Sequence, residues 1–193
     1  MKSLCVYCGS KTGADPAHAE AAGAFGRVLA RRGVRLVYGG GRVGLMGILA
    51  DACLDAGGAV TGIIPDFLAL KEVAHPRVED MRVVASMHER KQAMIEAADG
   101  FAALPGGLGT LEEISEVWTW SQLGRHEKPV GLLNTAGYYD ALLAFLDHMA
   151  AEHFVEARHR AMLCVGETPQ ALMDALAAAE HPGAIAQLSR GQT

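Results

Sequence analysis

Seven short, continuously apolar runs recur along the chain, at 4–8, 34–40, 59–65, 82–86, 100–107, 129–134 and 162–166. Runs this short and this unbroken suit strands covered on both faces, as in a parallel sheet. Between them lie longer stretches with helical periodicity, at 16–32, 44–57, 87–98, 110–123, 138–152 and 169–179. Strand alternating with helix predicts a single-domain α/β fold over 1–180, a Rossmann-like doubly wound parallel sheet with helices on both faces. The segment 66–80 lacks clean periodicity and reads as a long loop, and 181–193 reads as a frayed tail.

In an open parallel sheet, ligands collect where strand ends run into helix N-termini. Two such junctions are rich in glycine. In "YGGGRVGLMG", Gly39, Gly41 and Gly44 satisfy G-x-G-x-x-G, the spacing of a dinucleotide loop, but after the second strand rather than the first, with Asp66 only loosely in the place of the ribose-binding acid. The same glycines would also serve a tight turn and a close helix–sheet contact.

The second junction, "LPGGLGTLEEISEVW", sets Gly106, Gly107 and Gly109 before a helix that carries Glu112, Glu113 and Glu116. Free N–H groups of a first helical turn suit a phosphate. Thr110 and Glu113 also match a capping box, which accounts for one threonine and one glutamate but not for Pro105-Gly106-Gly107. Leu111, Ile114, Val117 and Trp118 form the sheet-facing stripe, so Glu113 and Glu116 fall off it. In the preceding helix Arg90 shares a stripe with Ala93, Met94 and Ala97, where a guanidinium needs an anionic partner or a route to solvent.

Composition narrows the chemistry. A net charge of −5 with scattered Lys and Arg offers no field for a nucleic-acid backbone. No apolar stretch reaches the roughly 20 residues that span a bilayer, and the N-terminal apolar run is short for a signal peptide, so the cytoplasm is expected. The four cysteines form no disulfide framework. Cys5 and Cys8 make a C-x-x-C inside a predicted strand, where buried structural thiols are expected rather than a redox pair. His148, His153 and His159 scatter around their helix, and His88-Glu89 lacks the second histidine of H-E-x-x-H, so no metal is expected.

"MHERK" (87–91), "LPGGLGTLEE" (104–113) and "TWSQLG" (119–124), with "VYCGS", "YGGGRVGLMG" and "KPVGLLN", resemble the Lonely Guy family of cytokinin-activating phosphoribohydrolases, long labelled lysine decarboxylases. The motif P-G-G-x-G-T-x-x-E is matched in full by Pro105, Gly106, Gly107, Gly109, Thr110 and Glu113. The resemblance implies hydrolysis of the N-glycosidic bond of adenosine 5′-monophosphate and its N6-isoprenoid derivatives, with no cofactor. It implies Arg90 and Glu113 as catalytic residues. Substrate contacts would come from Glu72, Lys91, Gly106, Gly107, Leu108, Gly109, Thr110, Leu111, Glu112 and Thr119. It also implies a homodimer with the site near the subunit boundary.

Three other readings make different demands. A pyridoxal-phosphate decarboxylase needs a Schiff-base lysine in a larger fold. A nicotinamide oxidoreductase would use the 39–44 loop and have no need of Glu113. A nucleotide-binding module would hold the ligand without turnover.

Overall fold

Each apolar run forms a strand in the computed structural model, which describes residues 1–69 and 73–182. The strands are β1 (Ser3–Tyr7), β2 (Arg35–Tyr38), β3 (Val60–Pro65), β4 (Asp80–Val84), β5 (Phe101–Ala103), β6 (Val130–Leu133) and β7 (Leu163–Gly166). They make one parallel sheet in the order β4-β3-β2-β1-β5-β6-β7. The expected α/β fold is therefore present.

The helices are α1 (Pro16–Arg31), α2 (Gly44–Asp55), α3 (Asp66–Ala69), α4 (Met87–Ala97), α5 (Leu108–Gln122), α6 (Asp140–Ala151), α7 (Ala157–Arg160) and α8 (Pro169–Ala178). Local chemistry sets several of their starts. Asp15 caps α1 by accepting from the Ala17 N–H at 2.8 Å, with Pro16 in the first position, where its missing N–H costs nothing. Thr168 and Pro169 repeat the device at α8.

Alternation along β1 divides the core into two layers. Leu4, Val6 and Cys8 join Phe25 and Leu29 of α1, Leu45 and Leu49 of α2, and Leu172 and Leu176 of α8. Cys5 and Tyr7 join Met94 of α4, Ile114 and Val117 of α5, and Leu146 of α6 on the other face. Burial on both faces is why the inner strands read as continuous apolar runs, whereas the edge strand β4 is largely exposed.

The segment expected as one long loop, 66–80, is more ordered than its sequence suggests. It opens with the single turn α3, and β4 begins at Asp80. Ala74 bridges to Gly41, while Val73 O accepts from Arg42 N at 2.8 Å and His75 N donates to Gly40 O at 2.9 Å. These bonds lay residues 73–75 across the glycine loop that follows β2. Arg77 pairs with Asp51 and Asp55 of α2 and ties the strap down from its far side. Glu72 and the tail residues 183–193 lie outside the described residues.

Strands β1 to β4 build outward in one direction, and β5 returns to the other side of β1. That reversal opens a crevice at the carboxyl ends of β1 and β5. Both glycine junctions meet at or beside it.

Candidate active site

The crevice is a cleft of about 480 Å³. Its lining follows the strand order. Gly107, Leu108, Gly109 and Thr110 come from the end of β5, Gly9 and Ser10 from β1, Gly39 and Gly41 from β2, and Ile64 and Leu68 from β3 and the turn beyond it. Glu113 of α5 and Arg90 of α4 lie between these two ends. Neighbouring strands stand about 4.8 Å apart, so three spacings set the cleft's two ends roughly 14 Å from each other.

The β5 end is built for an anion. The first backbone bond of α5 runs from Leu111 N to Gly107 O, so the N–H groups of Leu108, Gly109 and Thr110 have no partner within the helix. Gly107 to Gly109 are exposed, and α5 adds the positive end of a 15-residue dipole. Thr110 is not the cap. Gly107 occupies that position without a side-chain bond, and Thr110 is buried inside the first turn. The capping-box reading of Thr110 and Glu113 therefore fails, which leaves Glu113 free to face the cleft.

Glu113 is 12% exposed, and its carboxylate lies 3.7 Å from the Arg90 guanidinium, itself 11% exposed. Burial disfavours the carboxylate and pushes its pKa from 4.5 up to about 7, although Arg90 pulls it down. A carboxyl raised by burial and paired with a cation in a cleft marks a candidate functional group.

Arg90 is fixed from the opposite side. Its Nε donates to Ile63 O at 3.2 Å and its Nη2 to Gly39 O at 3.3 Å. The strand ends thus supply carbonyl oxygens to a buried cation, and Glu113 supplies the countercharge. Gly39 has to be glycine because a Cβ there would occupy the space of the guanidinium. Gly44 has to be glycine because it sits at φ +60° with the Ser10–Lys11 backbone pressed against it. Gly39 and Gly44 of the G-x-G-x-x-G pattern are thus accounted for by Arg90 and by the loop after β1, with no dinucleotide required.

The β2–β3 end of the cleft is apolar, walled by Met46, Ile64, Leu68 and Val73, with Met87 and Met94 beside Arg90. Met94 lies on the apolar stripe shared with Arg90 and is buried, while Met87 is 38% exposed. Their role in the wall was hidden because helical spacing does not distinguish a core face from a cleft face.

The remaining expected site residues divide. Gly106 lies behind the cleft, and Glu112 is on its rim. Leu111, expected on the sheet-facing stripe with Ile114, Val117 and Trp118, is instead 38% exposed, because it sits in the first turn of α5, beyond the edge of the core. Lys91 points away from the cleft, bound to Glu112 and, at 3.1 Å, to Glu116. It lines an open groove of about 600 Å³ between α4 and α5 that also includes His88 and Trp120. Thr119 is exposed on α5. That groove is larger than the cleft, but it holds neither the free N–H groups nor Glu113. The described residues contain no cluster of three or more His, Cys, Asp or Glu with metal-binding geometry.

Residues 46–176 match the family described as "Possible lysine decarboxylase". The cytokinin riboside 5′-monophosphate phosphoribohydrolase of Rhodococcoides fascians is 49% identical over 166 residues, covering 84% of this chain and 84% of the relative. The cytokinin riboside 5′-monophosphate phosphoribohydrolase LOG of Oryza sativa subsp. japonica is 47% identical over 173 residues, covering 90% and 72%. Among solved structures, the molybdenum cofactor binding protein of Rippkaea orientalis aligns with a TM-score of 0.68 at 23% identity, over 90% of this chain and 94% of that one. The Moco carrier protein of Chlamydomonas reinhardtii gives 0.68 at 19% identity, over 91% and 94%. At those identities the structural likeness speaks for the fold alone. Sequence similarity at nearly half identity along most of both chains goes further: the chain belongs to the cytokinin riboside 5′-monophosphate phosphoribohydrolase family.

Proposed function

We propose that this enzyme hydrolyses the N-glycosidic bond of adenosine 5′-monophosphate and its N6-substituted derivatives, releasing the free base and ribose 5-phosphate. One observation carries the assignment of roles. A buried carboxyl with a pKa near 7, paired with a buried arginine, stands one helical turn from three unpartnered N–H groups.

The polar and apolar ends of the cleft orient the substrate. The 5′-phosphate is held by the N–H groups of Leu108, Gly109 and Thr110, and the base lies toward Met46, Ile64 and Val73. The ribose then faces Glu113. As the bond from C1′ to the base nitrogen breaks, the electron pair leaves with the base, and positive charge develops on C1′ and the ring oxygen. The Glu113 carboxylate stabilises that charge and orients a water. The water gives its hydroxyl to C1′ and its proton to the departing base.

Arg90 is anchored on carbonyls at the ends of β2 and β3, which β1 separates from β5 in the sheet, and this supports a role beside the base and Glu113 rather than on the phosphate. Its charge keeps Glu113 partly ionised despite burial. Four free cysteines, three of them buried, fit a reducing compartment, and we assign the protein to the cytoplasm. No helix among the described residues is long and apolar enough to cross a membrane.

A homodimer is also proposed. Leu108, Leu111 and Met87 expose apolar surface around the cleft mouth, and Leu108 is 86% exposed. The open groove between α4 and α5 continues this face. Pairing there would bring Lys91 and Thr119 close to the subunit boundary.

Arg90→Ala and Glu113→Ala should each lower release of ribose 5-phosphate from AMP by about 100- to 1000-fold, and near-normal turnover in either would sink the assignment. The pH profile carries a sign. The ionised form of Glu113 does the work, so kcat/KM should rise about tenfold per pH unit below 7 and level off above it. A profile that falls through 7 would instead make Glu113 a general acid.

Stability runs the opposite way. A raised folded-state pKa gives stability that is full below 4.5 and is lost as pH rises through about 7. Glu113→Gln should therefore raise the melting temperature at pH 8 and leave it nearly unchanged at pH 4.5. Sedimentation of the purified chain should give the mass of two copies, and a monomer at micromolar concentration would overturn the dimer.

A further inference from the structure

We propose that Tyr138 is a positioning residue that sets the site's affinity for the substrate's phosphate by fixing the peptide plane between Gly106 and Gly107. This rests on the phosphoribohydrolase reading of the cleft. Tyr138 does not line the cleft; it borders a neighbouring cavity of about 300 Å³ with His18, Pro105 and Gly106, which shares Gly9, Ser10 and Gly107 with the cleft.

The loop from Leu104 to Gly106 has each of its carbonyls held from outside. Leu104 O accepts from the Tyr139 hydroxyl at 2.7 Å, Pro105 O from Gly9 N at 3.0 Å, and Gly106 O from the Tyr138 hydroxyl at 2.5 Å. In a trans peptide the C=O and the following N–H point in opposite directions. Holding Gly106 O on the Tyr138 side therefore aims Gly107 N–H at the cleft, where it joins the N–H groups of Leu108, Gly109 and Thr110.

The loop needs that restraint because of its own composition. Gly106 must lack a Cβ, which would strike the Thr110 side chain and the Gly9 backbone. Two successive glycines leave the plane between them free to turn over at little steric cost. Close approach thus demands a pair that cannot hold its own orientation, and the Tyr138 hydroxyl supplies the missing constraint.

The turn after β6 is shaped to deliver this contact. Asn134 Oδ1 accepts from Tyr139 N at 2.7 Å, and its amide donates to Asp140 Oδ1 at 2.7 Å. Ala136 and Gly137 both take positive φ, at 53° and 70°, which turns the chain back toward the loop. The Tyr138 ring is then braced edge-on by Tyr139 and His18, with centroids 4.9 and 5.3 Å away. The two hydroxyls differ in what they protect. Tyr139 is 5% exposed, and losing its hydroxyl would leave the carbonyl of fully buried Leu104 unpaired. Tyr138 is 43% exposed, so its loss frees the Gly106 plane with little cost to the fold.

The test compares wild type, Tyr138→Phe and Tyr139→Phe by steady-state AMP hydrolysis, by calorimetric titration of ribose 5-phosphate and of adenine, and by thermal melting. Tyr138→Phe should raise the KM for AMP and the Kd for ribose 5-phosphate by about five- to tenfold, the equivalent of one hydrogen bond. Its kcat, its affinity for adenine and its melting temperature should stay close to wild type. Tyr139→Phe should lower the melting temperature instead. Unchanged affinity for ribose 5-phosphate in Tyr138→Phe would overturn the proposal, and so would equal weakening toward ribose 5-phosphate and adenine. If wild type bound ribose 5-phosphate but released none from AMP, the hydrolase reading would fall, and the titrations would still decide the role of Tyr138.

Discussion

A guanidinium and a carboxylate, each about nine-tenths buried, face one another at 3.7 Å where the sheet reverses its strand order. Removing two charges from water is costly, and an ion pair at that distance offsets only part of the cost. The fold meets the remainder for Arg90 with carbonyl oxygens from β2 and β3, and leaves it unmet for Glu113, whose pKa climbs to about 7. A carboxylate held in that condition gains when positive charge appears nearby. Under the proposed mechanism the cost lies in the resting state and would be relieved as the sugar becomes cationic.

The architecture around the pair follows from the need to place a flexible substrate against it. In the proposed function, free N–H groups at the start of α5 would fix one end of a nucleotide without presenting a charged side chain that would compete for Glu113. An apolar wall at the ends of β2 and β3 would receive the other end. Of the glycines after β2, Gly39 is required by the arginine, to which it yields space, and Gly44 by the backbone after β1 that packs against it. The strap at 73–75, hydrogen-bonded to that loop, closes the apolar end.

All seven strands and the six long helices were legible in the sequence, the inner strands because burial on both faces writes itself as unbroken apolar runs, and the largely exposed edge strand β4 through its β-branched pair Val83-Val84. The site was legible only where a motif was. Two stretches carry the S/T-x-x-E spacing: Ser86 with Glu89, and Thr110 with Glu113. In the first, Ser86 caps α4 through Glu89 N, and Glu89 accepts from Ala85 N. In the second the helix has already begun two residues earlier, and the glutamate turns to the cleft. Spacing alone could not separate a cap from a catalytic group, because the difference lies in where the preceding glycines let the helix start. Lys91 beside Arg90 reads as an equal partner in sequence, yet one step of 100° around the helix sends it to Glu112 and Glu116. Tyr138 left no signal, since a hydroxyl bonded to a backbone carbonyl obeys no pattern of side chains.

The whole account depends on where the sugar lies relative to the carboxylate. A crystal of the Glu113→Gln protein grown with AMP measures this directly. The account predicts phosphate oxygens within hydrogen-bond distance of the N–H groups of residues 107–110, and C1′ facing the side chain at 113. A nucleotide lodged in the groove between α4 and α5, or bound in the cleft with its ribose turned away from that side chain, would contradict it.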